Sequence, residues 1–90
     1  MIIRRLIWDD WNTVHIVRHV ITQDEVEEIC SSERNVVTRA GRQKIRVVGR
    51  AWSGKYVTVF LVSRGRDSYY VVTARASTNK EKMFYRKKVQ

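Results

Sequence analysis

Three apolar runs separated by two short turns decide the fold: Lys44-Ile-Arg-Val-Val-Gly-Arg-Ala-Trp52, Lys55-Tyr-Val-Thr-Val-Phe-Leu-Val-Ser63 and Ser68-Tyr-Tyr-Val-Val-Thr-Ala-Arg-Ala76. Each run is rich in β-branched and aromatic residues, the composition that suits a pleated, half-buried surface. Ser53-Gly54 separates the first two, and glycine supplies the positive φ of a tight turn at little steric cost. Arg64-Gly65-Arg66-Asp67 separates the second from the third. Two consecutive hairpins predict an antiparallel meander.

Upstream, Val36 and Val37 fit a further short strand, so the antiparallel sheet has three or four strands. Residues 2–8 (Ile-Ile-Arg-Arg-Leu-Ile-Trp) read as a short first strand. Asp9 or Asp10 can cap a helix over about residues 10–20 by accepting backbone N–H bonds. Trp11, Val14, Ile16, Val17 and Val20 recur there at helical spacing, which predicts that much of this helix is buried, and Trp8 and Trp11 are expected in the core. Thr22 and Glu25 form a capping box before a second short helix with Val26, Ile29 and Cys30 on its apolar side. Thr78 and Glu81 repeat that box before a last helix ending in Arg86-Lys87-Lys88, where positive charge complements the macrodipole. The expected architecture is a single α+β domain over residues 1–90, with helices against one face of the sheet.

The 90 residues hold 18 Lys and Arg against nine Asp and Glu, a formal net charge of +9. Such an excess favours an anionic partner. It is unevenly spread: residues 1–30 are net −3, whereas residues 31–60 and 61–90 are each net +6. One cysteine, Cys30, excludes an intrachain disulfide and a cysteine-rich zinc module. No apolar run approaches the roughly 20 residues of a membrane span, and the N-terminus lacks the pattern of a secretory signal. A reduced, cytoplasmic setting without membrane contact is expected.

Among candidate chemical groups, His15 and His19 share a helix face at a spacing that can bind metal. Ile16 stands where a zinc-protease motif needs glutamate and no third ligand is evident, so no metal site and no cofactor are expected. Strand alternation puts Arg46, Val48, Arg50 and Trp52 on one face, and Arg75 on a face with Tyr69, Val71 and Thr73. Arg50 and Arg75 sit within apolar strands, where a guanidinium needs an anion. Only Asp67 and Glu81 follow residue 33 as acids, against thirteen basic residues from Arg34 onward besides these two. That shortage points to a phosphate site, since the guanidinium fork matches phosphate geometry. Trp52, Tyr56, Tyr69, Tyr70 and Tyr85 are interleaved with the basic residues, a combination that suits unstacked RNA bases. For most of these aromatics core packing is the simpler role, and for Glu81 helix capping is. No phosphate-binding glycine loop and no serine nucleophile elbow occurs.

Three segments resemble the BrnT family of type II toxins, small ribonucleases of RelE-like fold. One runs from Ala74-Arg75-Ala76 through Thr78 and Glu81 to Tyr85. The second joins Val48-Gly49-Arg50 to Ser53-Gly54-Lys55 and the following strand. The third is Ile7-Trp8-Asp9-Asp10, then Arg18-His19, then Thr22 through Glu28. The chain departs from the family where Val20 replaces a usual glycine, and in a first helix without the usual lysines. The resemblance implies metal-independent RNA cleavage, in which the 2′-hydroxyl attacks the adjacent phosphate. Arg50 and Arg75 would stabilise the developing charge, with His19 or Tyr85 moving a proton. Arg46, Trp52, Lys55, Arg64 and Arg66 are the expected RNA contacts. The implied partner is a ribbon-helix-helix antitoxin, a small acidic or DNA-binding protein that masks the basic face in a complex repressing its own operon. A homo-oligomer and a toxin–antitoxin heterotetramer stay open as assemblies. The rival reading is a non-catalytic module of the same fold that binds nucleic acid or a protein partner.

Overall fold

A computed structural model describes residues 1–89 and shows the expected elements in the expected order. They are β1 (Arg5–Ile7), α1 (Asp10–Val17), α2 (Gln23–Ser31), β2 (Val36–Gly41), β3 (Lys44–Arg50), β4 (Tyr56–Ser63), β5 (Ser68–Ala76) and α3 (Asn79–Val89). One five-stranded sheet has the order β1-β5-β4-β3-β2. The four strands from β2 to β5 are antiparallel, and β1 closes the sheet by pairing parallel to β5.

Period-two alternation sorts the sheet into two unlike faces. Val47, Val57, Val59, Leu61, Val71 and Ala74 are buried in one core with Ile16, Ile21, Val26, Ile29 and Cys30 from the α1–α2 region. A Cβ on Gly49 would lie 2.9 Å from the Ile29 side chain, so glycine there lets α2 approach β3. The opposite face carries Arg46, Val48 and Arg50 of β3, Tyr56, Thr58 and Phe60 of β4, and Arg75 of β5, in register across the strands. Helix α3 lies over this second face, so the helices cover both faces, contrary to the one-sided arrangement expected from the sequence. The reason is in the alternation: Thr58 and Arg75 point away from the apolar core, and Glu81 of α3 bonds to both. A bulge places one extra residue, Val72, in β5 opposite the Phe60–Leu61 step. It turns Val71 into the core while Thr73 and Arg75 remain on the arginine face, so Arg75 does not share a face with Val71 as strict alternation predicts.

Helix α1 is the larger correction. It ends at Val17, and only Asn12 and Ile16 are buried within it. Trp11, Val14, Val17 and Val20 are 64%, 55%, 63% and 77% exposed. Trp8 is half-buried against the core and donates from Nε1 to Glu27 at 2.8 Å. A polar residue takes the central inward position instead: Asn12 donates to the carbonyls of Ile7 and Val71 and accepts from the Asp9 backbone. Asp9 is the cap, with its side chain on the Asn12 N–H at 2.9 Å. Beyond Val17 the chain turns with Val20 at φ 60°, while the Ile21 N–H reaches back to the Ile16 carbonyl. A β-branched residue in the left-handed region is strained.

Candidate functional site

The arginine face holds two clusters. The first is built on Glu81. Both capping bonds between Thr78 and Glu81 form, at 2.8 and 3.2 Å. The same carboxylate accepts from Arg75 through two bonds of 2.8 and 3.0 Å, and from the buried Thr58 hydroxyl at 2.9 Å. Arg46 lies 3.8 Å away and also donates to Thr38. Burial pushes the Glu81 carboxyl up, but the Arg75 bonds, the Thr78 N–H, the Thr58 hydroxyl and the Arg75 charge outweigh it and hold the group at about 2. The acid shortage therefore does not leave Arg75 unpaired: one of the two available acids takes it in a bidentate pair, and its guanidinium also stacks over Phe60.

The second cluster is built on Tyr56, opposite Arg50 in the β3–β4 register. Arg50, Arg86 and Lys82 place their cationic groups 5.2, 5.3 and 5.8 Å from the Tyr56 ring centroid. Lys82 and Arg86 are four residues apart on α3, one helical turn, which brings both to the same ring. Tyr85 packs edge-on to Tyr56 at 5.8 Å and is itself buried. Hydrogen bonding from Arg86 draws the Tyr56 phenol below its ordinary value; partial desolvation opposes this, and the charges of Arg86, Arg50 and Lys82 add to it. Arg50 donates only to the Gly54 carbonyl, at 3.3 Å. Among the described residues, no carboxylate lies within salt-bridge distance of Arg34, Arg50, Lys82 or Arg86.

A groove of about 580 Å³ opens beside Tyr56, with Arg34, Arg50, Trp52, Tyr56, Tyr85 and Arg86 in its walls and Glu28 as its acidic member. The Glu28 carboxylate is engaged by the Trp52 backbone N–H at 2.8 Å. That bond fixes the β3–β4 turn and leaves the Trp52 indole 95% exposed, an unusual state for a large aromatic ring.

The structure thus gathers Arg50, Trp52 and Tyr85 from the residues singled out in the sequence. It places Arg46 and Arg75 on the same sheet face but around Glu81. Lys55 turns to the opposite side, where it bonds to the Val20 carbonyl at 3.0 Å and pairs with Glu25 at 3.1 Å. Arg64 and Arg66 lie at the β4–β5 turn, the other end of the strands, with Arg64 over Tyr70. His19 is exposed after α1 and packs edge-on to His15, outside the groove walls. Among the described residues, no group of three or more His, Cys, Asp or Glu side chains gathers as metal ligands would. The Cys30 thiol is buried, and burial followed by the nearby Glu27 charge pushes it up to about 12, which makes it unreactive. The sequence names Tyr56 only among the aromatics suited to RNA bases, and does not single out Lys82, Arg86 or Arg34 as site residues. The spacing of Lys82 and Arg86 and the five-residue loop that sets Arg50 opposite Tyr56 carry the signal for three of them. Nothing local marks Arg34.

This layout, with a meander closed by a parallel N-terminal strand, two helices on one face and one on the other, is an α+β fold of BrnT type. It is that of the Brucella abortus ribonuclease toxin BrnT, whose crystal structure superposes with a TM-score of 0.66 at 15% identity, covering 83% of this chain and 97% of that one. At that identity the likeness is one of fold. No family model matches the sequence, and no curated protein matches it.

Proposed function

We propose that this protein is the toxin of a type II toxin–antitoxin pair, an endoribonuclease that works in the cytoplasm without a metal. The observation that carries the reading is the groove of arginines without acid partners, bounded by an exposed tryptophan and a cation-ringed tyrosine, on the fold of a ribonuclease toxin. Single-stranded RNA suits such a groove: phosphates meet guanidinium forks, and an unstacked base finds an aromatic face on Trp52. Cleavage proceeds by attack of the 2′-hydroxyl on the adjacent phosphorus. Arg50 and Arg86 are aimed at the charge that builds on the phosphate oxygens, the electrostatic contribution that dominates many such reactions. Arg75 supports the site from the side by anchoring Glu81, and with it the helix that carries Arg86.

The partner in this reading is a small antitoxin of ribbon-helix-helix type. It covers the arginine face and neutralises it in the same stroke. No helix among the described residues is long and apolar enough to cross a membrane.

The test is cleavage of single-stranded RNA by the purified protein in EDTA. Arg50→Ala is expected to slow it at least tenfold, about 1.4 kcal/mol of barrier. A protein that binds RNA in a salt-sensitive way but leaves every RNA intact, free or ribosome-bound, would instead be a binding module of the same fold.

A further inference from the structure

Tyr56 is the only tyrosine whose ring is approached by three cationic side chains among the described residues. It lies in the wall of the groove and is half-buried. Burying a purely structural tyrosine would call for a fixed acceptor for that hydroxyl. Here the ring packs edge-on to Tyr85 with Arg50, Lys82 and Arg86 over it, and among the described residues no carbonyl or carboxylate accepts from its oxygen. Three cations around one phenol favour its deprotonated form, and the same cations are those expected to hold a phosphate. Base and anion site therefore share their neighbours.

On the reading that the groove cleaves RNA, we propose that Tyr56 is the general base of the reaction. Its phenolate oxygen takes the proton of the 2′-hydroxyl. The 2′ oxygen bonds to the adjacent phosphorus, and the P–O5′ bond breaks with its electron pair left on the 5′ oxygen. That oxygen takes a proton from water, and the products are a 2′,3′-cyclic phosphate and a free 5′-hydroxyl. Tyr56 returns its proton to solvent. Arg86, with the further positive charges of Arg50 and Lys82, lowers the phenol's pKa, the direction that favours the phenolate. Neither His19 nor Tyr85 is as well placed: Tyr85 reaches the groove wall but is buried, and His19 lies outside the groove.

The experiment compares wild type, Tyr56→Phe and Arg86→Gln on one labelled single-stranded RNA and on its 2′-O-methyl counterpart, which binds but offers no nucleophile. Tyr56→Phe keeps the ring and its cation contacts. It is expected to bind the 2′-O-methyl strand with wild-type affinity yet cleave the RNA roughly 100-fold more slowly, the low end for loss of a general base. The rise of rate with pH seen for wild type is expected to vanish in Tyr56→Phe and to move to higher pH in Arg86→Gln. Wild-type rate and pH profile in Tyr56→Phe would overturn the proposal and leave the ribonuclease reading standing. A loss of 2′-O-methyl affinity equal to the loss of rate would make Tyr56 a binding residue and overturn it too. A wild-type protein that binds both strands and cleaves neither would overturn the ribonuclease reading, and this role with it.

Discussion

Glu81 and Tyr56 occupy neighbouring stretches of one sheet face, and each is an acid surrounded by cations, yet the two clusters differ in charge balance. At Glu81 a full carboxylate meets Arg75 in a bidentate pair, with Arg46 alongside and two further donors completing its shell. At Tyr56 the central group is a phenol, and three cations share it without a carboxylate among the described residues. The first cluster has satisfied its electrostatics within the fold. The second keeps an excess of positive charge that an anion from outside can meet. Arginine count alone does not separate structure from function; what separates them is whether a carboxylate is within reach.

The largest effect expected from this difference is on stability. Glu81→Ala removes a nearly buried carboxylate that accepts four hydrogen bonds, and strands Arg75 and Thr58. A buried pair broken from one side costs several kcal/mol. Arg75 is about one-third exposed, so water recovers part of this and a loss of about 2 kcal/mol is expected. In a domain of this size that lowers Tm by roughly 10 °C. Arg50→Ala, at an exposed guanidinium, should stay within about 0.5 kcal/mol of wild type. Thermal denaturation of the two variants measures both, and equal losses would break the comparison.

The pH dependence separates the clusters in a second way. Glu81 has a folded value of about 2, against an ordinary value of 4.5. Its folded value is depressed, so its contribution to stability is present above the unfolded value and is lost as pH falls through the folded one. Wild-type Tm should therefore fall between about pH 5 and pH 2, partly through this one group. Glu81→Gln should be less stable at neutral pH and lose less on acidification over that range. Parallel curves for the two proteins would show that other carboxylates govern acid unfolding.

Much of the fold could be read before the structure, because its signals are local. Thr22 with Glu25 and Thr78 with Glu81 announce two helix starts, and Ser53-Gly54 and Gly65 punctuate the hairpins. What could not be read depends on which element reaches across which face. Trp11, Val14 and Val17 follow a helical period, but the core position of α1 goes to Asn12, which bonds to carbonyls of two strands. An apolar stripe names a face without saying whether anything covers it. The site was half legible for a similar reason. Arg50 and Trp52 follow from the strand pattern, whereas the partition of arginines between Glu81 and Tyr56 depends on which residues of α3 meet which part of the sheet face. A count of acids foretold a shortage but not which arginine would escape it. Lys55 shows the same limit: a basic residue beside a glycine turn proves to be tied to Glu25.

Within the groove, Trp52 tests whether the open cluster recognises bases as well as phosphates. Stacking of a base on an aromatic ring is worth about 1–3 kcal/mol by alanine substitution. Trp52→Ala should therefore weaken binding of a 2′-O-methyl single strand about tenfold while leaving Tm unchanged, since the indole is exposed and its turn is held through the backbone N–H. Fluorescence anisotropy measures the first and denaturation the second. Unchanged affinity would reduce the groove to a phosphate site.

The smallest effect expected is the most direct measure of the uncompensated charge. Each phosphate contact on a single strand contributes about −0.7 to the slope of log affinity against log salt. Arg34 stands in the groove wall, contributed by the loop before β2, and is exposed. Arg34→Ala should make that slope shallower by about 0.7 with only a modest loss of affinity at high salt. Arg75→Ala, measured where the variant is folded, should leave the slope unchanged, because the charge it removes is already balanced by Glu81. Arg64→Ala, at the far end of the strands, sharpens the comparison further. An unchanged slope there confines the anion path to the Tyr56 side, whereas a loss equal to that of Arg34→Ala would extend the path along the whole face. Equal slopes for Arg34→Ala and wild type, with a loss for Arg75→Ala, would invert the assignment and make the Glu81 cluster the one that opens to bind RNA.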